Sequence, residues 1–195
     1  MLNNMNTIEK SSSGISLIPI ESKLLYDRKI FIQGEITLAS ACEFVKALMI
    51  LSKDKSSPID VFINSPGGEC SAGLMIYDVI QSIKDQVNLH CIGMAASMAA
   101  IIMACGKKGQ RFILPHSKMM IHEPLISDGI GGSATSIQRM AISVVETKNL
   151  TIDLLAENTG KSKKDIEAAI SYDNYMNAQE CISFGLCDKI ELTFL

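Results

Sequence analysis

Three stretches of this sequence hold residue types that together could perform nucleophilic chemistry on a carbonyl. "CIGMAASMAAIIMACG" (91–106) sets one hydroxyl, Ser97, among alanine, methionine and isoleucine. The residues before Ser97 read as a strand and those after it as a helix. That puts Ser97 near a helix N-terminus, where unpaired backbone N–H groups stabilise developing negative charge. Ala95, Ala96, Ala99 and Ala100 keep its surroundings small, so another chain's backbone can approach closely. "INSPGG" (63–68) also follows a strand and precedes a helix. Its two glycines free the backbone to aim N–H groups at an oxyanion, and Pro66 stiffens the approach. "MMIHEP" ends a strand on His122, at the carboxyl edge where ligands of open α/β sheets collect. An imidazole there suits proton transfer near neutral pH.

Each feature alone has a plainer explanation. A serine at a helix start is commonly a cap or a small packing residue. The glycine pair and His122 are what turn Ser97 toward catalysis. His90 falls mid-strand and His116 in a polar turn, which gives both structural or surface roles. An acid must orient the imidazole. Asp173, in "SYDNYMNAQE", lies between two tyrosines beside a capped helix, but spacing alone leaves Asp165 and Glu123 open as well.

The elements that must position these groups follow from periodicity. "KIFIQG" (29–34) alternates as a short strand, and Thr37–Ser52 carries an apolar stripe at 38, 41, 45, 48 and 49. "PIDVFINSPGG" is a strand running into a turn, and "SAGLMIYDVIQSI" a helix with Ile76, Ile80 and Ile83 on one face. "VNLHCIG" is a strand and "ASMAAIIMAC" a helix. "RFILP" and "KMMIHEP" are short strands closed by proline. A glycine-rich loop spans 125–133, and a long helix runs from about Ala134 to Asn158, stopped by Gly160. Ser162 opens another helix. Asn177–Glu180 is a capping box for a short helix ending at Gly185, and "DKIELTF" closes as a strand. Alternating strands and helices with buried-looking strands predict an α/β fold with a largely parallel sheet. Residues 1–16 are polar and serine-rich and read as a flexible N-terminal arm; 17–195 form one domain.

Composition narrows the function classes. The chain has 195 residues, 47% hydrophobic and 20% charged, with a net charge of −3 and no basic stripe, which argues against nucleic acid. No stretch is apolar enough to cross a bilayer, and the N-terminus lacks a secretory pattern. Cys42, Cys70, Cys91, Cys105, Cys181 and Cys187 contain no CxxC pair and sit mostly in apolar segments, as reduced cytoplasmic thiols do. No metal or cofactor is expected. "TGKSKK" (159–164) has a phosphate-loop ending, but Leu155 stands where that loop needs glycine, and a helix precedes it. "DGIGG" (128–132) lacks the context of a dinucleotide site.

Several segments resemble a known family. "FINSPGGECSAGLMIYDVIQSIK", "GMAASMAAIIMACGKKGQRFILPHSKMMIHEP" and "DNYMNAQECISFGLCDKI" occur in the order found in proteolytic subunits of the Clp protease (ClpP family, peptidase S14). The similarity covers roughly residues 22–193. It implies a crotonase-like spiral of ββα units with a protruding helical handle, formed here from Glu123 through the helix near 134–158. It implies a serine endopeptidase with Ser97 as nucleophile, His122 as base and acid, Asp173 as orienting carboxylate, and the amides of Gly68 and Met98 as oxyanion hole. It further implies heptameric rings, stacked in pairs, and an AAA+ unfoldase that alone uses ATP and feeds in unfolded polypeptides.

The sequence departs from the family pattern at several places. Ser171 and Tyr172 stand where an Asp-Arg pair commonly joins the rings. The handle reads Gly132-Ser133-Ala134-Thr135-Ser136-Ile137, with about two extra residues between Pro124 and Gly132. Asp60 and Ser82 replace aromatics of the unfoldase-docking face. Two other functions stay open at this stage: a ring paralogue with a misaligned triad that needs a partner subunit, and a crotonase-type acyl-CoA enzyme.

Overall fold

The computed structural model describes residues 5–11, 14–126 and 129–193. Among these, the chain runs β1 (Asn6–Ser11), β2 (Gly14–Pro19), α1 (Ile20–Tyr26), β3 (Lys29–Ile36), α2 (Leu38–Leu51), β4 (Ile59–Gly68), α3 (Cys70–Ser82) and β5 (Val87–Ala96). It continues α4 (Met98–Ala104), β6 (Arg111–Ile113), β7 (Lys118–Ile121), α5 (Ala134–Thr159), α6 (Lys163–Ala169), β8 (Asn174–Asn177), α7 (Ala178–Phe184) and β9 (Lys189–Ile190). The expected α/β fold is present. Strands β3, β4, β5, β6 and β9 lie side by side in that order, all parallel.

The sheet forks at β5. Residues Leu89–Cys91 pair with β6, whereas Met94–Ala96 pair with β7, which in turn pairs antiparallel with β8. Register shifts accompany the fork, between Gln33 and Glu35 on β3 and between Ile63 and Ser65 on β4. Such irregularities bend strands and re-aim side chains. The upper ends of β4 and β5, with β7 and β8, thus make a second tier above the main sheet.

Helix α4 accounts for the apolar run after Ser97: every residue from Met98 to Ala104 is buried. A helix apolar on all sides belongs inside a protein. It packs with the sheet, α2 and α3 into one continuous core. Thr37 caps α2 through a capping box with Ser40, and the helix buries Ala41, Phe44, Leu48 and Leu51. The expected stripe agrees at 41 and 48. Leu38 and Met49 instead face solvent, because α2 is apolar on two sides and the sheet covers only one.

Two regions differ further from the sequence reading. The polar segment taken as an arm holds a hairpin, β1 against β2, with Asn6 opposite Pro19; residues 1–4 and 12–13 lie outside the described residues. The closing strand shrinks to Lys189–Ile190, and β8 was not anticipated. The long helix is present with Gly160 as its stop, and no residue from 134 to 150 is buried, so its first half projects from the body. In the glycine-rich loop before it, residues 127–128 lie outside the described residues.

Candidate active site

Ser97 occupies the junction between β5 and α4, and the junction is strained. Its φ of 55° and ψ of −124° belong to the first central position of a type II′ turn, ordinarily left to glycine. The surroundings hold it there. Its N–H donates to the Met120 carbonyl at 2.8 Å, tying the junction to β7, and its own carbonyl accepts from Ala100 and Ile101 at 3.0 and 3.3 Å. A sharp strand-to-helix turn of this kind lifts a hydroxyl clear of the sheet.

His122 follows β7 directly. Because β5 and β7 run parallel with Ala96 opposite Met120, the imidazole emerges beside Ser97. Strand β8 supplies the third group: Ile121 pairs with Asn174, so Asp173 stands next to His122 across the antiparallel ladder. His122 Nδ1 lies 2.9 Å from Asp173 Oδ1, and Nε2 lies 3.0 Å from Ser97 Oγ. A carboxylate can only accept, so Nδ1 carries the proton and donates to Asp173. Nε2 is then left to accept from the serine hydroxyl. The His122 side chain is 15% exposed and that of Asp173 62%.

The two other acids are engaged elsewhere. Glu123 pairs with Lys148 at 2.7 Å. Asp165 accepts from the Ser162 hydroxyl at 2.6 Å, within the cap of α6. The sequence left the choice open because β8 was not recognised in "NYMN"; pairing that segment against "KMMI" selects Asp173.

The last residues of β4, Ser65–Gly68, turn over the junction while Gly67 and Gly68 stay paired with Glu35 and Ile36 of β3. A Cβ at Gly67, whose φ is +95°, would come 2.7 Å from the Ala96 carbonyl, 2.8 Å from Ser97 Cβ and 3.1 Å from Met98 N. A Cβ at Gly68 would collide with the Ile36 carbonyl oxygen. Only glycine lets this turn lie against Ser97 and Met98. Sequence reading also missed Ser65, whose buried Oγ accepts from the Gly67 N–H at 3.1 Å. Its signal is a serine two residues before the amide it binds.

This serine–imidazole–carboxylate chain, set beside a glycine turn, can be placed next to the similarity of the whole sequence. The family model described as Clp protease matches residues 12–193. The chain belongs to the Clp protease family. It is 43% identical over 184 residues to the "ATP-dependent Clp protease proteolytic subunit 2" of Chlamydia trachomatis serovar D, covering 94% of this chain and 90% of the relative. The protein of the same name from serovar A matches to the same extent. As a Clp-type proteolytic subunit, the chain is a serine endopeptidase.

The other two histidines and the buried thiols sit in different surroundings. His90, expected to be structural, is part of a ladder of rings aligned across four parallel strands. Phe31 and Phe62 are 5.1 Å apart, Phe62 and His90 4.9 Å, and His90 and Phe112 5.0 Å between ring centroids. Its Nδ1 meets Glu191 at 2.9 Å and its Nε2 meets Asp60 at 3.3 Å. Burial, the largest single influence, would lower its pKa, but the hydrogen bonds to Asp60 and Glu191 and the charges of those carboxylates together outweigh it and hold the imidazole above its ordinary value. His116 is exposed. Burial pushes the thiols of Cys91 and Cys105 up to about 12, so neither is a nucleophile at neutral pH. Among the described residues no helix is long and apolar enough to cross a membrane.

Proposed function

We propose that Ser97 is the nucleophile, His122 the general base and acid, and Asp173 the orienting carboxylate of peptide-bond hydrolysis. Ser97 Oγ attacks the peptide carbonyl carbon as its proton passes to His122 Nε2, and the carbonyl π electrons move onto oxygen. The N–H groups of Gly68 and Met98 donate to that oxyanion. Collapse breaks the C–N bond, the amine leaves with the proton from His122, and an acyl-enzyme remains. Water then attacks the ester, giving a proton to His122, and Ser97 regains its own as the acid departs. Asp173 keeps the imidazole in the accepting tautomer and stabilises the imidazolium.

The observation that carries this reading is the unbroken chain of hydrogen bonds at 3.0 and 2.9 Å, ending on a serine held in a glycine-like conformation. The triad is aligned within one chain, which favours it over a paralogue that borrows alignment from a partner. An acyl-CoA hydratase would have no use for the relay. Trapping with a fluorophosphonate probe tests the assignment. Labelling of the wild type and not of Ser97→Ala, with loss of peptide cleavage in that variant, is expected. An unlabelled wild type, or a Ser97→Ala variant that still cleaves, would overturn it.

The same reading includes cytoplasmic heptameric rings, stacked in pairs through the projecting half of α5 and served by an AAA+ unfoldase. That half carries Ile137, Ile142 and Val145 in solvent, a stripe one chain leaves uncovered. Ser171 bonds the Ala168 carbonyl and Tyr172 is exposed, so neither position offers an ion pair to a stacked ring. Asp60 is less of an obstacle to docking than an isolated carboxylate, since Asn88 and His90 already bond it. Negative-stain imaging and sedimentation test the assembly; a mass no larger than one ring would overturn the stacking.

A further inference from the structure

We infer that the Ser65 hydroxyl is a positioning residue for peptide hydrolysis, clamping its turn so that the Gly68 amide faces the oxyanion. The inference rests on the reading proposed above. The Ser65 side chain is fully buried, and its Oγ accepts from the Gly67 N–H at 3.1 Å. A buried hydroxyl is costly unless it is bonded, so the interaction is well specified.

The location gives the bond its consequence. Ser65 is the first residue past the register shift on β4, aligned with Ala95 of the strand that carries the nucleophile. Two residues on, Gly67 is pressed against Ala96, Ser97 and Met98, and Gly68 against the Ile36 carbonyl. The turn is therefore bounded on both outer sides by backbone. On its inner side the Ser65 oxygen fixes the Gly67 N–H, and with it the plane of the Pro66–Gly67 peptide. The backbone dihedrals of Gly67, whose φ is +95°, then set where the next N–H points, and that is the N–H of Gly68. Glycine has no side chain to restrict this rotation. Pairing of Gly67 and Gly68 with Glu35 and Ile36 of β3 holds the outer edge of this segment. The Ser65 acceptor removes part of the freedom that is left, so its loss lets the Gly68 amide drift from a position that must be closely met.

The test compares wild type, Ser65→Ala and Ser65→Cys with a fluorogenic peptide, counting active sites by fluorophosphonate titration. A peptide boronate serves as tetrahedral analogue, and a product peptide as ground-state ligand. For Ser65→Ala, kcat per titrated site is expected to fall roughly 10- to 100-fold with KM within about twofold. Boronate affinity should fall by the same factor while product-peptide affinity holds. Ser65→Cys, which keeps a weaker acceptor, should fall in between. Wild-type kcat per site and wild-type boronate affinity in Ser65→Ala would overturn the inference. So would a loss confined to the number of titratable sites, the mark of a folding role only. Should the alanine variant not fold, the cysteine variant is read by the same criteria. A Ser97→Ala variant that still cleaves would sink the serine mechanism itself, whatever is seen at position 65.

Discussion

The backbone strain at Ser97 can be measured by comparing Ser97→Ala with Ser97→Gly. Both variants lose the hydroxyl and its 3.0 Å contact with His122, so that loss cancels between them. What differs is the conformational cost of a side chain at φ 55°, ψ −124°. A non-glycine residue in so sparsely populated a region costs about 1–3 kcal/mol. Glycine removes that cost but adds about 0.4–1 kcal/mol of unfolded-state freedom. It also gives up part of the roughly 0.8 kcal/mol that a buried methylene contributes, since Ser97 is only half-buried. The balance favours glycine by about 1 kcal/mol. For a domain of this size that corresponds to a melting point about 2–4 °C above that of the alanine variant. The assay is thermal unfolding of the two variants at one protein concentration, both inactive against peptide. If Ser97→Gly melts at or below Ser97→Ala, the junction stores no strain and the account of how the hydroxyl is presented fails.

Three further outcomes follow from the same geometry. Asp173→Asn should leave KM nearly unchanged and lower kcat by about 10³- to 10⁴-fold, because the amide can hold the imidazole in the wrong tautomer; steady-state kinetics decide it. Gly67→Ala forces a Cβ to 2.7 Å from the Ala96 carbonyl at positive φ, so a melting point at least several degrees lower, together with weaker fluorophosphonate labelling, is expected. The third concerns His90, whose folded pKa is raised, so the stability it contributes is fully present below its unfolded pKa of about 6.5 and is lost as pH rises through the folded value. Denaturant unfolding across that range should find wild type losing stability relative to His90→Phe as pH rises, and parallel profiles would refute the pairing with Asp60 and Glu191.

Much of the site was legible because its parts sit where a strand gives way to a turn or helix, and such junctions leave local signals. Ser97, His122 and the glycine pair could be placed from their own segments. Asp173 could not, because what selects it is the pairing of two short strands about fifty residues apart in sequence, and nothing local announces that pairing. The φ of Ser97 was equally hidden. A serine before an apolar helix reads as an ordinary cap, and only the Met120 carbonyl and the packed turn hold it otherwise. The hairpin of β1 and β2 escaped because it is largely exposed: β1 is mostly polar, and Ile8, Ile15 and Leu17 face solvent instead of a core, so their spacing does not mark a half-buried strand. His90 reads from sequence as a structural or surface residue, and its place between Phe62 and Phe112 depends on register across three strands.

The fork in β5 has a thermodynamic consequence. The lower half of that strand is locked into the apolar body through β4 and β6. Its upper half shares amide protection with β7 and β8, and β8 is a four-residue edge strand. Hydrogen exchange should therefore separate the strand into slow amides at Leu89–Cys91 and faster ones at Met94–Ala96. Fraying at β8 would part Asp173 from His122 at a fraction of the free energy needed to melt the molecule, so under the proposed mechanism whatever braces that edge tunes turnover without changing the fold.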